Sequence, residues 1–270
     1  MMLDVTENRR RLRHAFDAVA DRYQRARPEY PDELFEALIQ TAGLAPGARL
    51  LEIGCATGKA TIPLARRGFR ITGVEIGSNL VVAARRNLAD FRNVEIVESA
   101  FEDWDPPHQV RFDMVFAATA WHWVDPATRY RKAWDVLRPG GHLAFWSAGH
   151  VFPDDGDPFF AEIQQVYDEL EDDPDRNTVM PRPGELPDHS DEIRGSGLFQ
   201  DVLVRRFDWQ VSYSADEYID LLDTFSSHLA MEAQKREHLY AEIRRRLADR
   251  PDGRLRRHWG AVLHVGRRVD

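Results

Sequence analysis

Two glycines form the pattern with the clearest chemical meaning in this sequence. Gly54 and Gly58 flank a short turn that follows the apolar run at 49–53 and precedes a predicted helix. Such a turn exposes backbone N–H groups and the positive end of the helix dipole, which favour anionic or polar ligand groups. Glycine also lets a ligand approach the main chain and allows backbone angles that other residues resist. The pattern therefore predicts a ligand site at the start of this helix.

Several classes of nucleotide site use glycine-rich turns, and their spacing distinguishes them. A dinucleotide fingerprint that begins at Gly54 needs glycines also at positions 56 and 59, where this chain has Ala56 and Lys59. A phosphate loop needs four residues between its glycines and a hydroxyl residue after the lysine, whereas here three residues intervene and Ala60 follows. An NAD-dependent oxidoreductase and a nucleoside triphosphate site are therefore disfavoured.

An acid at the end of the second predicted strand supplies a further contact. Glu75 follows Gly54 at the interval of about 20 residues that places a strand-end carboxylate beside a ribose. The carboxylate can accept hydrogen bonds from both ribose hydroxyls of an adenosine group. Ala100 and Phe101, just past the third strand, can give an adenine ring backbone contacts and an apolar surface, although ordinary core packing explains Phe101 equally well. Together these residues predict an adenosine-containing ligand.

The elements that must position these residues alternate between strand and helix. Apolar runs predict strands at 49–53, 70–74, 94–97, 112–117, 142–147, 202–211 and 259–265. Helical periodicity occurs at 12–23, from 32 onwards, and at 59–67, 78–89 and 126–137. This alternation predicts an α/β fold with a Rossmann-like, seven-stranded, mostly parallel sheet and helices on both faces. Its strand ends open onto a ligand crevice.

The same pattern divides the chain into four segments. We expect an N-terminal helical preface at 1–48, a ligand-binding core at 49–147, a cap insertion at 148–200 and a C-terminal completion of the sheet at 201–270. The cap is rich in proline and acidic residues. One helical face within it comprises Phe159, Ile163, Val166, Tyr167 and Leu170, so we expect the cap to be ordered against the core.

Composition limits the class of partner. The net charge of -9 over 270 residues disfavours nucleic acid. The arginine-rich stretch at 235–257 is interpreted as the solvent face of a helix that carries Leu239, Ile243 and Leu247. No apolar run reaches membrane-spanning length, and the single cysteine, Cys55, excludes a cysteine-based zinc cluster. We therefore expect a cytoplasmic protein with a small-molecule substrate and no nucleic-acid, membrane or metal partner; the sequence assigns no oligomeric state.

Five ordered segments resemble a known enzyme family. LEIGCATGKAT, GVEIG, ESAFEDW, FDMVFAATAWHWVDP and LRPGGHLAFWS resemble the conserved segments of class I S-adenosylmethionine-dependent methyltransferases. The resemblance covers residues 49–147. The stretches FDAVADRYQRARPEYP and YIDLLDTFSSH are similar to its small-molecule branch, the methyltransferase type 11-like proteins that include trans-aconitate methyltransferase-like members.

The resemblance implies both an activity and a cofactor. The cofactor is S-adenosyl-L-methionine, and the activity is methyl transfer to a small molecule, with carboxylic acids among the acceptors. The segment before the first strand would then act as a lid. A non-catalytic module that binds S-adenosylmethionine for regulation or assembly is the alternative from a different functional class.

The resemblance also implies the cofactor contacts. Glu52, Gly54, Ala56 and Gly58 line the methionine part, Glu75 holds the ribose, and Ala100 and Phe101 approach the adenine. The remaining cofactor-binding candidates are Tyr23, Arg27, Cys55, Ile76 and Ala118. Ala56 departs from the usual glycine and would narrow the turn.

Substrate contacts are predicted at the end of the fourth strand. Trp121, His122 and Trp123 lie where the crevice is expected, and aromatic faces favour a nearby sulfonium cation. His122 could assist as a base if the acceptor must lose a proton, although packing between the two tryptophans explains it equally well. Arg27 could pair with a carboxylate of the cofactor or substrate, and a plain surface arginine is the alternative.

Overall fold

In the computed structural model, which describes residues 20–107, 110–170 and 181–270, seven strands form one sheet. The strands are β1 (Arg49–Ile53), β2 (Arg70–Glu75), β3 (Val94–Glu98), β4 (Phe112–Ala118), β5 (Leu137–His150), β6 (Phe199–Ser214) and β7 (Arg254–Arg268). Their order is β3-β2-β1-β4-β5-β7-β6. Strands β1 to β5 run parallel, and β7 is antiparallel to both β5 and β6. The predicted α/β class and mostly parallel sheet are confirmed.

Helices connect the strands and flank the sheet. They are α1 (Ala20–Ala26), α2 (Asp32–Ala42), α3 (Thr61–Arg66), α4 (Ser78–Asn87), α5 (Arg129–Val136), α6 (Phe159–Leu170), α7 (Ser190–Gly195), α8 (Ala215–Leu222), α9 (Ser226–Leu229) and α10 (Ala233–Ala248), with a 3-10 turn at Trp121–Trp123. The helix predicted at 12–23 lies largely outside the described residues. Within those residues, no helix is both long enough and apolar enough to cross a membrane.

Both faces of the central parallel strands β1 and β4 are buried, as a sheet between two helical layers requires. Neighbouring residues of β1 therefore enter different cores: Leu50 packs with the helix α2 side, and Leu51 packs with the α5 side. This placement explains why adjacent residues of β1 are both leucine. The residues that directly follow these strands are consequently held by the rigid end of the sheet.

A third apolar cluster joins the cap helix to the C-terminal helices. Residues of α6, α8 and α10 pack together with the first part of β7, including Phe159, Ile163, Leu222, Ile243 and Trp259. The cluster covers the end of the sheet at which the parallel strands terminate. A buried carboxylate reinforces it, since Asp157 accepts hydrogen bonds from the guanidinium of Arg250 at 2.5 and 3.0 Å.

The helix predicted for the arginine-rich stretch is confirmed as far as Ala248, with Leu239, Ile243 and Leu247 buried on one face, but the rest of the stretch was wrongly interpreted as part of it. Helix α10 ends at Ala248, and strand β7 begins at Arg254. Gly253, which has a φ of +64°, lies in the turn that separates them. Arg257 therefore lies on a strand and is buried, not on the solvent face of a helix. The strand positions also alternate, because Arg256 is exposed on the opposite side.

Candidate active site

A cavity of about 300 Å³ opens at the carboxyl ends of the parallel strands. Its size is within the range of small-molecule sites, and its position is where open parallel sheets bind ligands. Eleven of the predicted site residues contribute to its wall: Tyr23, Arg27, Gly54, Ala56, Glu75, Ile76, Ala100, Phe101, Ala118, His122 and Trp123. Segments that are far apart in sequence thus meet at one concave surface.

The turn after β1 has an unusual backbone. Gly54, Ala56 and Gly58 all have positive φ angles, of +66°, +48° and +93°. A side chain at Gly54 could not be accommodated, because its Cβ would lie 2.7 Å from the Cβ of Ala120. Ala56 occupies a left-handed conformation that disfavours a residue with a Cβ. This strain gives a physical reason why glycine suits position 56 better.

Glu75 is fixed by the main chain on both sides. It is 6% exposed, and its Oε2 accepts the N–H of Ala56 while its Oε1 accepts the N–H of Gly77, each at 2.9 Å. The carboxylate thus connects the strained turn after β1 to the start of α4. A carboxylate oxygen has two acceptor positions, so this orientation suits a pair of neighbouring hydroxyl groups. These acceptor oxygens fit the two hydroxyls of a ribose.

An apolar wall lies beside this carboxylate. Ile76, Leu80, Ala100, Phe101 and Val124 line that part of the cavity. Phe101 is also 3% exposed and belongs to the core cluster that contains Leu51, so it lines the cavity and packs the core at once. A flat aromatic base would remove apolar surface from water against these side chains.

Four predicted site residues do not reach the cavity wall. Glu52 is buried beneath the turn, where it accepts the hydroxyl of Thr61 at 2.6 Å and burial raises its pKa to about 8. Cys55 is buried against α4, and burial raises the pKa of its thiol. At Gly58 an added Cβ would lie 3.0 Å from Leu88. These three residues support the turn from behind.

The fourth is Trp121, at the end of β4. It is 3% exposed and stacks on Phe145, with ring centroids 5.3 Å apart. The 3-10 turn directs the next two residues differently, because His122 and Trp123 line the cavity with their ring centroids 4.7 Å apart. The aromatic pair at the cavity is therefore His122 and Trp123, and Trp121 belongs to the core.

The segment before β1 is bonded directly to the glycine turn. The hydroxyl of Thr57 donates to Gln24 Oε1 at 2.5 Å. Lys59, whose side chain is mostly buried, pairs with Glu29 at 2.6 Å. These contacts hold α1 over the turn.

Arg27 closes the cavity from the side of α1. Its Nε donates to the Thr224 hydroxyl and its Nη2 donates to the Thr224 carbonyl, both at 2.8 Å. Its guanidinium lies 4.1 Å from the ring centroid of Phe225. Tyr23 lines the same part of the cavity, and burial raises the pKa of its hydroxyl. The cover of the cavity is thus built from two distant parts of the chain.

Several wall residues were not predicted from the sequence. Thr119 directly follows β4, and Ala148 lies two residues before the end of β5, so the rule that strand ends form the site could have found them. The main-chain N–H of Ala148 donates to the Thr119 hydroxyl at 3.3 Å, which joins the two strand ends. Phe225 lies within the stretch YIDLLDTFSSH, but nothing in its local pattern indicates a wall position.

Known proteins similar to this chain are methyltransferases. A family model for a methyltransferase domain matches residues 51–145. An uncharacterized methyltransferase of Mycobacterium tuberculosis is 28% identical over 259 residues, which cover 92% of this chain and 91% of that protein. The ubiquinone biosynthesis O-methyltransferase of Marinobacter nauticus is 33% identical over 101 residues, which cover 36% of this chain and 42% of that protein. A solved structure from Anaeromyxobacter dehalogenans, described as a proposed type II methyltransferase, is 26% identical, with a TM-score of 0.60 and coverage of 89% of this chain and 97% of that chain.

Proposed function

Because the chain is a class I S-adenosylmethionine-dependent methyltransferase, we propose that its methyl acceptor is a small molecule that enters the cavity described above. The observation that carries this proposal is the cover formed by Arg27 and Phe225. A cavity of about 300 Å³ beneath such a cover suits a ligand that is mostly enclosed. The exposed surface of a macromolecule would meet the cover first.

The residues of the wall divide naturally between parts of the cofactor. Glu75 accepts the ribose hydroxyls, and the apolar surface of Ile76, Ala100 and Phe101 faces the adenine. The turn at Gly54 and Ala56 faces the methionine part. Arg27 uses two of its five N–H donors on Thr224, and the others serve the cofactor carboxylate.

Positioning and exclusion of water account for most of the catalysis. When bound, S-adenosylmethionine supplies an electrophilic methyl group, and its transfer to an acceptor lone pair leaves a neutral thioether. The protein must hold the acceptor atom in line with that methyl group and keep water out. Trp123 contributes an aromatic face to this region. His122, on the cavity wall, would accept a proton from an acceptor hydroxyl.

The acceptor atom is proposed to be oxygen. The relative from Marinobacter nauticus is an O-methyltransferase by name, which supports this choice. A carboxylic acid, the acceptor class suggested by the resemblance, is one such oxygen acceptor. The cytoplasmic location and the lack of a nucleic-acid partner stay predictions.

Transfer of a labelled methyl group tests the proposal. The purified chain is incubated with S-adenosylmethionine carrying a tritiated methyl group and, separately, with a panel of small hydroxy and carboxylic acids, with mixed cellular RNA and with a mixed protein extract. We expect label in the small-molecule arm alone, and none there with Glu75→Ala. Label in RNA or protein would contradict the proposal. Cofactor binding without transfer in any arm would favour the non-catalytic module.

A further inference from the structure

Arg257 is a buried cation without a carboxylate partner. It is 6% exposed, and within the described part of the chain it forms no ion pair. Its Nη1 donates to the Tyr218 hydroxyl at 3.3 Å, and its Nε has no hydrogen-bond partner there. Because arginine stays protonated, burial of this group is unfavourable unless something compensates its charge.

Among the described residues one other arginine is buried, and it has a carboxylate partner. Arg129 is 8% exposed and pairs with Glu192. Arg250, which is partly buried and precedes the strand that carries Arg257, is held by both oxygens of Asp157. At both of these arginines the fold supplies an acid. At Arg257 it supplies aromatic rings instead.

Three aromatic rings surround the Arg257 guanidinium. Its central carbon lies 4.6 Å from the ring centroid of Trp259, 5.3 Å from that of Phe225 and 5.7 Å from that of Tyr218. Such cation–π contacts compensate only part of the desolvation of a charge. They also leave the in-plane N–H donors, which recognise planar anions, directed away from the ring faces.

Arg257 lies at the same end of the sheet as the cavity. Strand β7 is antiparallel to β5, and Trp259 is in register with His150 near the end of β5. Ala148, two residues earlier on β5, lines the cavity. Phe225 lies on the cavity wall, and its ring also contacts the Arg257 guanidinium. One aromatic side chain therefore contacts both the ligand site and the guanidinium.

Nearby histidines do not add to the positive charge. Burial and the charge of Arg257 lower the pKa of His150 to about 2 and that of His228 to about 4. Both rings are therefore neutral at pH 7. His150 Nε2 is buried without a hydrogen-bond partner among the described residues. The cations beside Phe225 are therefore the two arginines, Arg257 and Arg27.

We propose that Arg257 binds a carboxylate of the methyl acceptor, in a subsite beside Phe225 that also includes the Tyr218 hydroxyl. A carboxylate accepts two parallel N–H bonds from a guanidinium, which gives both charge compensation and a fixed orientation. Rotation of the Phe225 side chain joins the subsite to the cavity. This inference rests on the proposed small-molecule transfer and adds the group that selects the acceptor.

Ligand-induced stabilisation of the full chain tests the subsite. Thermal unfolding is measured with saturating S-adenosylhomocysteine and increasing benzoate, succinate or hexanoate, beside the corresponding neutral amides and inorganic phosphate. We expect at least one acid, but not its amide, to raise the Tm of the wild type. With Arg257→Gln, about 100-fold more acid should be needed for the same rise in Tm. It should persist with Arg256→Gln, the exposed neighbour on the same strand.

A conservative variant guards against loss of folding. Arg257→Lys keeps the positive charge but loses the two parallel donors. We therefore expect this variant to need about tenfold more acid for the same rise in Tm, with unchanged affinity for S-adenosylhomocysteine. An equal response in Arg257→Lys and wild type would overturn the proposal. So would stabilisation by amides as strong as by acids, stabilisation by phosphate alone, or no response to any acid.

Different results would contradict the methyltransferase site and the role of Arg257. A wild type that binds no S-adenosylhomocysteine would contradict the methyltransferase site itself. A wild type that binds S-adenosylhomocysteine normally but responds to no acid would overturn only the role of Arg257.

Discussion

Replacing Glu75 by glutamine tests the ribose contact with little change of volume. Each oxygen of Glu75 accepts a main-chain N–H at 2.9 Å, one from Ala56 and one from Gly77. The glutamine amide must direct its NH₂ group at one of these donors, and its remaining oxygen carries no charge. The substitution therefore removes the charged acceptor and disturbs the turn that faces the cofactor.

The expected loss follows from two hydrogen bonds to a charged acceptor. Each contributes about 1.5–3 kcal/mol, so the loss of two ribose contacts costs about 3–6 kcal/mol. Because about 1.4 kcal/mol corresponds to tenfold in affinity, the Kd for S-adenosylhomocysteine should rise by about 10²-fold to 10⁴-fold.

Isothermal titration calorimetry measures this change. Glu98→Gln is the matched control, because Glu98 ends the adjacent strand β3 in register with Glu75 but is exposed and bonded to Ser78. We expect the control to bind like the wild type. A folded Glu75→Gln variant that binds S-adenosylhomocysteine as tightly as the wild type would refute the reasoning.

Three further predictions concern the elements that support the site. Burial raises the pKa of Glu52 from 4.5 to about 8, so the folded state retains a proton that the unfolded chain releases. The free energy of unfolding should therefore fall as pH rises between these values, by up to about 5 kcal/mol. Urea titrations at several pH values measure this dependence, and Glu52→Gln, which still accepts a hydrogen bond from Thr61, should flatten it. An unchanged pH dependence in this variant would contradict the raised pKa of Glu52. Ala56→Gly should relieve the backbone strain of a φ of +48°, which costs about 1–2 kcal/mol. The greater conformational freedom of glycine in the unfolded chain offsets about 0.5–1 kcal/mol of this gain. The Tm should therefore rise by about 2 °C, and a lower Tm would argue against strain at this position. Asp157→Asn should weaken the contact with Arg250 and lower the Tm by several degrees without changing affinity for S-adenosylhomocysteine. This contact holds the pKa of Asp157 below 3.8. The contribution of the pair to stability is therefore present at neutral pH and is lost on acidification through the folded-state pKa. Equal Tm values for variant and wild type at pH 7 would show that the pair does not anchor the cap.

The centre of the sheet could be predicted because its strands are buried on both faces. Leu50 and Leu51 enter opposite cores, so neighbouring residues of β1 are apolar, and they stand out between the charged Arg49 and Glu52. The ends of later strands were harder to place. Strand β5 begins at Leu137 and passes through Pro139 and Gly140, residues that normally indicate a turn. Strand β7 was missed at its start because arginine usually indicates a solvated face, whereas Arg257 is buried among aromatic rings.

Residues of the cavity wall could be predicted where local spacing determines their position. Gly54 and Glu75 each lie next to a strand end, and their separation in sequence reflects one strand–helix–strand unit. Phe225 reaches the cavity only through packing of the C-terminal helices, which leaves no local signal. Trp121 and Trp123 are two residues apart, and only the 3-10 turn assigns one to the core and the other to the cavity.

A crystal structure of the wild-type chain with S-adenosylhomocysteine is the most direct test of the central claim. The account predicts the nucleoside in the cavity at the ends of β1 and β2, with its ribose hydroxyl oxygens about 2.5–3.0 Å from the two carboxylate oxygens of Glu75. A nucleoside bound elsewhere, or one in this cavity with its ribose turned away from Glu75, would contradict it.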